Sequence, residues 1–247
     1  MSDRTRGLTD DLPELPSAEI HHDHRDVSGG WLRPTVFGMM DGLVSNFALI
    51  AGVAGASSTS SQVSLAGWAG LVGGAFSMAT GEYISVKSQN ESTHAELAVE
   101  RHEIIHNSAA EQAELAQTYI ARGVDPQTAK KVAEQLSRDP DQALLIHAQE
   151  ELGVDPTQLP SPWTAAVSSL ASFSVGALLP LLPYVFGTST LLISAIVAIV
   201  ALFVAGALSA RFTSRSWTFA GTRQLVLGVL AAAVTYGIGA LFHVSAG

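Results

Sequence analysis

Residues 162–210 decide the fold, and they read PWTAAVSSLASFSVGALLPLLPYVFGTSTLLISAIVAIVALFVAGALSA. This stretch contains no charged residue. A helix that spans a bilayer needs about 20 consecutive, mostly apolar residues, so there is room here for two. The turn-like segment Phe186-Gly187-Thr188-Ser189 separates them. The sequence therefore predicts two membrane-spanning helices in this region.

Three further windows of similar length are nearly free of charge. They cover about residues 35–56, 63–86 and 225–242. The first two are each interrupted by a single acid, Asp41 and Glu82. The mean hydropathy of +0.29 also suits a membrane protein. We therefore expect an all-α membrane protein with five transmembrane helices.

The basic residues predict how these helices are oriented. All 13 Lys and Arg lie in residues 1–33, 87–161 and 211–223, and none lies in the other connections or the C-terminal tail. Loops rich in Lys and Arg stay on the cytoplasmic side of a membrane. With five spans, this places the N-terminus in the cytoplasm and the C-terminus outside.

The chain divides into four parts on this basis. Residues 1–33 form a flexible cytoplasmic tail, whose His21, His22 and His24 could bind a metal or be plainly solvated. Residues 34–86 hold spans one and two, and residues 162–247 hold spans three to five. Between them, residues 87–161 form an acidic cytoplasmic insert of three helices, at about 88–121, 126–137 and 140–152.

Five glutamates form a stripe on the first helix of the insert. At about 100° per residue they fall within an arc of roughly 80°. The stripe consists of Glu96, Glu100, Glu103, Glu111 and Glu114. It is either a solvated face or a site for a cation that offsets the repulsion between like charges. The third helix adds Glu150 and Glu151, which could face the stripe if the helices fold back.

Asp41 and Glu82 are the only acids inside the predicted spans, which contain no Lys or Arg. A buried carboxylate needs a partner, so a proton or a transported cation is expected at Asp41. Met78 lies at a similar depth on the second span. If its thioether lies beside Asp41, the pair would favour Fe2+ or Mn2+ over Mg2+ or Ca2+. Glu82 lies nearer the interface, and it is either a further residue of the transport path or an acid that reaches the headgroups.

Composition excludes several classes of function. The chain has no Cys, which removes disulfides, iron–sulfur clusters and thiol chemistry, and limits metal ligands to oxygen, nitrogen and thioether. The net charge of -9 argues against a nucleic-acid partner, because phosphate binding needs a basic face. No prosthetic group is expected.

Two segments resemble the signatures of the vacuolar iron transporter family. They are Met40-Asp41-Gly42-Leu43-Val44-Ser45-Asn46-Phe47-Ala48-Leu49 in span one and Gly74-Ala75-Phe76-Ser77-Met78-Ala79-Thr80-Gly81-Glu82-Tyr83-Ile84-Ser85 in span two. The similarity extends from about Trp31 to Phe242. It implies a homodimer whose first spans meet at the two-fold axis, and a proton-coupled path for Fe2+ or Mn2+ through Asp41 and Met78.

The resemblance also implies that cytoplasmic glutamates gather the ion. The residues that match the family pattern are Glu100, Glu103, Glu111, Glu114 and, on the third helix, Glu151. This chain departs from plant and protozoan relatives at two places. It has His147 and Ala148 where they carry Met, and a glycine, Gly70, near the position of their further span-two acid.

The resulting hypothesis is a non-enzymatic, proton-coupled transporter that moves Fe2+ or Mn2+ out of the cytosol. A membrane-anchored metal buffer or sensor is the first alternative, and a membrane di-iron oxidase is the second. Such an oxidase uses Glu-x-x-His pairs on facing helices, whereas Glu91–His94 and Glu103–His106 lie on one predicted helix. Without an organelle-targeting segment, a bacterial cell membrane is expected; the family occupies vacuolar membranes in eukaryotes.

Overall fold

The computed structural model describes residues 30–56, 59–187, 190–212 and 215–246, in which the regular secondary structure is helical. No strand occurs within these ranges. The α-helices are α1 (Leu32–Gly55), α2 (Ser60–His106), α3 (Ser108–Ala121), α4 (Pro126–Leu136), α5 (Pro140–Glu150), α6 (Pro162–Val185), α7 (Leu191–Ser209) and α8 (Trp217–Ala246). The predicted tail, with its histidines, lies outside the described residues except for its last few positions.

Among the described residues, five helices are long and apolar enough to cross a membrane. They are α1, α2, α6, α7 with the 3-10 turn that follows it, and α8 as far as Phe242. The five predicted spans are therefore confirmed as helices of suitable length and composition. Which end of each helix faces the cytoplasm stays a prediction, and so does the assignment of the insert to that side.

Helix α2 continues far beyond its apolar part. Its 47 residues extend for about 70 Å, more than twice the roughly 30 Å of a bilayer's hydrocarbon core. Its start is fixed by a capping box in which Thr59 and Gln62 satisfy each other's backbone N–H groups. Charged residues become frequent from Lys87 onward. The second half of α2 therefore lies outside the predicted span.

The prediction of one helix over residues 88–121 is wrong, because the chain breaks at Asn107. This residue has φ −126° and ψ 34° and ends α2. Its side chain donates to Glu103 Oε2, and its carbonyl accepts from the N–H groups of Ala110 and Glu111 at the start of α3. An asparagine that bonds locally competes with the helical backbone pattern. Glu111 therefore lies on a different helix from Glu100.

The spans pack around α1 and α6. Helix α1 contacts α2, α6, α7 and α8, and α6 also contacts α2 and α7. Glycines permit the closest approach: a Cβ on Gly42 would overlap the carbonyl of Phe173, and one on Gly176 would overlap that of Met39. Small residues at such crossings let helix backbones approach in a membrane. Helices α1 and α6 are thereby held in close contact over several turns.

Helices α3 to α5 fold against the distal half of α2. A small core of Leu115, Ala116 and Ala133 joins α3 to α4. The predicted starts of α4 and α5 are confirmed: Asp125 and Asp139 cap these helices, and each is followed by Pro at the first position. Helix α5 contacts α2 directly. This return brings the third predicted helix of the insert beside the glutamates of α2.

Two candidate metal sites

Asp41 and Met78 line the same cavity between the first two spans. The cavity has a volume of about 260 Å³, and Asp41 contributes from α1 and Met78 from α2. Its other walls are Ser45, Asn46, Leu49, Gly70, Gly74, Ser77 and Phe173. A hard carboxylate and a softer thioether therefore face one space, as their similar predicted depth suggested. We call this cavity the membrane site.

Two glycines of α2 shape the membrane site. A Cβ on Gly74 would overlap the ring of Phe173 from α6. A Cβ on Gly70 would lie 2.5 Å from Leu49 Cδ2 and 2.7 Å from Asn46 Oδ1. No larger residue fits at either position without displacing these neighbours. The polar wall of α1 and the thioether of α2 can therefore share one cavity.

Asn46 is a polar residue of the membrane site that sequence reasoning did not single out. Its side chain is only 1% exposed, and Nδ2 donates to the carbonyl of Ala177 at 2.6 Å. That bond turns Oδ1 towards Gly70, and Oδ1 has no hydrogen-bond partner among the described residues. Leaving a buried carbonyl oxygen unpaired costs about 1–3 kcal/mol. The available signal was an asparagine within an apolar span, five residues after Asp41.

Glu82 lies one turn along α2 from Met78. It is 8% exposed, and its Oε2 has no hydrogen-bond partner among the described residues. Residues four apart share a helix face, so Glu82 follows Met78 towards the distal half of α2. It is not among the residues that line the membrane site. Glu82 is thus a buried acid, separate from the partly exposed Asp41.

A second cluster of ionisable groups surrounds His147 on α5. The imidazole is 1% exposed, and its Nδ1 lies 2.8 Å from Glu151 Oε1, 3.0 Å from Glu100 Oε1 and 3.7 Å from Glu111 Oε2. The three carboxylates come from α2, α3 and the end of α5. Since an ionised carboxylate only accepts hydrogen bonds, Nδ1 donates to Glu151. We call this cluster the capture site.

The capture site has the ligand types and spacing that a divalent ion requires. One ligand atom each from Glu100, His147 and Glu151 lies within 4.8 Å of the others. Imidazole nitrogen and carboxylate oxygen suit Fe2+ and Mn2+. A cavity of about 260 Å³, lined in part by Glu111, Ser137 and His147, lies beside the cluster. His147 thus belongs both to the group of candidate ligands and to the wall of this cavity, whereas Glu100 and Glu151 do not line the cavity.

Two carboxyl groups of the capture site have a raised pKa. Burial, followed by the negative charge of Glu151, raises the pKa of Glu100 from 4.5 to about 7, although His147 opposes the shift. Burial and then the charge of Glu114 raise the pKa of Glu111. Burial disfavours the charged form of both carboxyls, and the neighbouring negative charges add to this effect. A bound divalent cation would supply positive charge and displace protons.

The structure separates the remaining predicted glutamates from His147. Glu103 accepts a hydrogen bond from Asn107 Nδ2 at 2.5 Å, and Glu114 is exposed on α3. Glu150 pairs with Arg122 and lies 3.4 Å from the Tyr119 hydroxyl. Glu96 is exposed on α2, so three of the seven candidate glutamates meet at the capture site: Glu100, Glu111 and Glu151. His147 was not assigned as a ligand from the sequence, although it lies one turn before Glu151 on the third predicted helix.

These features define a helical, multi-pass membrane protein with two acidic sites suited to metal ions. The VIT family matches residues 32–240, and the chain belongs to this family. It is 38% identical over 245 residues to the vacuolar iron transporter of Acanthamoeba castellanii, covering 95% of this chain and 88% of that protein. It is 34% identical over 236 residues to vacuolar iron transporter 1 of Oryza sativa subsp. japonica, covering 92% of each.

A third relative, vacuolar iron transporter 1 of Tulipa gesneriana, is 31% identical over 231 residues and matches 91% of this chain. The resemblance seen in the sequence motifs is therefore confirmed. The family and these relatives are transporters, so the chain is assigned to a class of transport proteins and not to a class of enzymes. The di-iron oxidase interpretation is wrong on this ground.

Proposed function

We propose that this protein moves Fe2+ or Mn2+ out of the cytosol across a membrane in exchange for protons. The observation that carries the proposal is the membrane site, where Asp41 and Met78 from two spans line one cavity. The predicted spans contain no Lys or Arg to pair with Asp41. An intramembrane acid without a basic partner is a candidate for binding a cation or a proton. The relatives named vacuolar iron transporter agree with this function.

The ligand set of the membrane site explains which ions it would accept. Asp41 offers a charged oxygen, Asn46 a neutral one and Met78 a thioether sulfur. Mg2+ and Ca2+ prefer oxygen alone, whereas Fe2+ and Mn2+ also accept softer donors. We therefore assign Met78 the role of discriminating against the abundant hard ions. Protonation of Asp41 after release of the ion would return the site to its starting state.

The capture site would gather the ion before it enters the membrane. Glu100 lies 22 residues beyond Met78 on the same helix, or about 33 Å along its axis. Glu82 lies between them, about 6 Å from Met78 along that axis. The order of groups along α2 is thus the capture site, then Glu82, then the membrane site. We propose that the ion passes these groups in that order.

A homodimer would complete the membrane site. Phe37, Asp41, Ser45 and Leu49 form one stripe along α1 at four-residue spacing. Phe37 is 53% exposed and Leu49 is 38% exposed. A second copy packed on this stripe would cover the membrane site, in keeping with the dimer that the family resemblance implies. We propose this assembly together with a capture site that faces the cytosol.

Metal buffering or sensing without transport is the alternative function. It is favoured by the independence of the capture site, whose ligands all lie outside the apolar parts of the spans. A buffer or sensor would bind metal at Glu100 and His147 but would have no use for Asp41. The two functions therefore differ in whether Asp41 affects flux. The identity of the membrane, bacterial or vacuolar, does not alter this test.

Transport in proteoliposomes with an imposed pH gradient tests the proposal. We expect the parent protein to move Mn2+ or Fe2+ against the proton flow and Asp41→Ala to lose most of this flux. Glu96→Gln is the matched control, because Glu96 is an exposed acid on α2 outside both sites. If Asp41→Ala transports as fast as the parent, the assignment of the path is wrong. Metal binding without flux in the parent would support the buffer or sensor.

A further inference from the structure

A groove runs between α1 and α7 on the side of the bundle away from the membrane site. Its volume is about 650 Å³. Apart from Thr35 and Ser209 its walls are apolar side chains. The main contributors are Val36, Met39 and Met40 from α1 and Ile196, Val200 and Val204 from α7. This is a slot suited to a hydrocarbon chain.

A second cavity of different character lies next to the groove at the end of α7. This cavity has a volume of about 640 Å³ and shares Val204 and Leu208 with the groove. Its other walls include Arg211, Arg215 and Trp217. The two spaces together have an apolar slot at one end and two guanidinium groups at the other. That polarity matches an amphiphile with an anionic head.

Positive charge is the only formal charge in the last third of the chain, and two of its arginines lie at this cavity. Residues 162–247 contain three basic residues, Arg211, Arg215 and Arg223, and no Asp or Glu. Two of the three line the second cavity. Basic pockets between membrane helices attract anionic phospholipid headgroups, and a guanidinium can hold a phosphate through two hydrogen bonds. A phosphate is therefore the complementary group.

The dimensions fit a lipid in one leaflet. From Ile196 to Leu208 the α7 wall runs for about 18 Å. One leaflet contributes about half of the roughly 30 Å hydrocarbon core, or some 15 Å. Trp217 at the arginine end is 60% exposed, and tryptophan prefers the headgroup level of a bilayer. An acyl chain along the groove would thus place its phosphate at the arginines.

We propose that this composite site binds one anionic phospholipid, with an acyl chain between α1 and α7 and its phosphate at Arg211 and Arg215. The groove wall on α1 includes Met39 and Met40, which directly precede Asp41 in the chain. A lipid in the groove therefore packs against the helical turn that carries the acid of the membrane site. This site is distinct from both metal sites and does not depend on the transported ion.

Native mass spectrometry of the detergent-purified full-length protein tests the site directly. The probes are phosphatidylglycerol and phosphatidylcholine with identical acyl chains. We expect phosphatidylglycerol to bind at least fivefold more tightly, and Arg211→Gln/Arg215→Gln to abolish the preference. Arg223→Gln is the matched control, because Arg223 stacks over Phe219 and does not line the cavity. Its lipid preference should equal that of the parent.

A second measurement locates the lipid and needs no arginine variant. Brominated acyl chains quench nearby tryptophans, so the parent should lose more fluorescence than Trp217→Phe in vesicles with brominated phosphatidylglycerol. Equal binding of the two lipids by the parent, or equal quenching in the two proteins, overturns the proposal.

The chain has no Cys, so Val200→Cys introduces a unique thiol in the groove. A disulfide between two such copies would show that a second copy covers the groove instead of lipid.

Discussion

Nδ1 of His147 lies 3.0 Å from Oε1 of Glu100 and joins α5 to α2. A nearby ion pair between Arg101 and Asp141, at 2.8 Å, joins the same two helices. The capture site is therefore held by contacts between helices that are far apart in the chain. Its imidazole is the group that lies among three carboxylates, which makes it the first target for mutation.

Replacing His147 should weaken metal binding by at least tenfold. His147→Ala removes a nitrogen donor and leaves Glu100, Glu111 and Glu151 to repel one another, so the metal-free protein should also unfold more easily. Titration of the purified protein with Mn2+ measures the first effect and thermal unfolding the second. His94→Ala, at an exposed position of α2, is the control. An unchanged Mn2+ affinity in His147→Ala would remove this residue from the ligand set.

Metal binding at the capture site should strengthen as the pH rises through about 7. Because the pKa of Glu100 is raised to about 7, protons compete with the ion below that value. In the metal-free protein, by contrast, the contribution of Glu100 to folding stability falls as the pH rises. A carboxyl whose pKa is higher in the folded state stabilises the fold at low pH, and this stabilisation is lost as the pH rises from about 4.5 to 7.

Glu100→Gln should therefore flatten both pH profiles over this range. Thermal unfolding of the metal-free protein between pH 5 and 8 measures the stability profile, and Mn2+ titration at the same values measures affinity. Glu96→Gln keeps Glu100 and should reproduce the parental slopes. Parallel slopes for Glu100→Gln and the parent would show that another group governs the pH dependence.

Asn46→Leu should reduce transport by at least tenfold while leaving the capture site intact. The substitution removes the neutral oxygen of the membrane site and also the 2.6 Å hydrogen bond from Nδ2 to Ala177. The lost bond should cost about 1 kcal/mol of stability, so unfolding must be measured alongside flux. Ser172→Ala is the control, since it removes a hydrogen bond from α6 to the Pro34 carbonyl without touching the membrane site. Equal flux in both variants would contradict a role for Asn46.

The spans were predictable because the signal is local. A charge-free window as long as residues 162–210 predicts membrane-spanning helices whatever the rest of the chain contains. Two helices of suitable length are found there. The helix starts at Pro126 and Pro140 were predictable for the same reason, because the capping aspartates precede them directly. The similar depths of Asp41 and Met78 on adjacent antiparallel spans made a shared site possible, the family resemblance implied one, and both residues line one cavity.

The capture site was only half predictable, because it depends on contacts between distant residues. The spacing of the glutamates on one predicted helix does not distinguish Glu100 from Glu103. In the structure the helix ends at Asn107, and α5 returns so that His147 lies beside Glu100. Glu150 and Glu151 are neighbours in sequence, yet Arg122 holds one and His147 the other. Side chains on consecutive residues point about 100° apart, so only the packing of α5 decides which faces the site.

Gly70→Ala should impair transport by closing the membrane site. The added Cβ would lie 2.5 Å from Leu49 Cδ2 and 2.7 Å from Asn46 Oδ1, so α2 or these side chains must shift. We expect flux to fall by at least fivefold in proteoliposomes, while Mn2+ binding at the capture site, about 45 Å further along α2, stays at the parental level.

Gly73→Ala provides the matched control for this substitution. Gly73 lies on the same helix three residues later, and a Cβ there meets nothing within 4 Å. Alanine is about 1 kcal/mol more favourable than glycine inside a helix, and this applies equally to both changes. A difference in flux between the two variants therefore comes from the contact at Gly70 and not from the backbone. Parental flux in Gly73→Ala and reduced flux in Gly70→Ala would link transport to the space beside Asn46. Equal flux in the two variants would mean that the ion takes a path that does not pass Gly70.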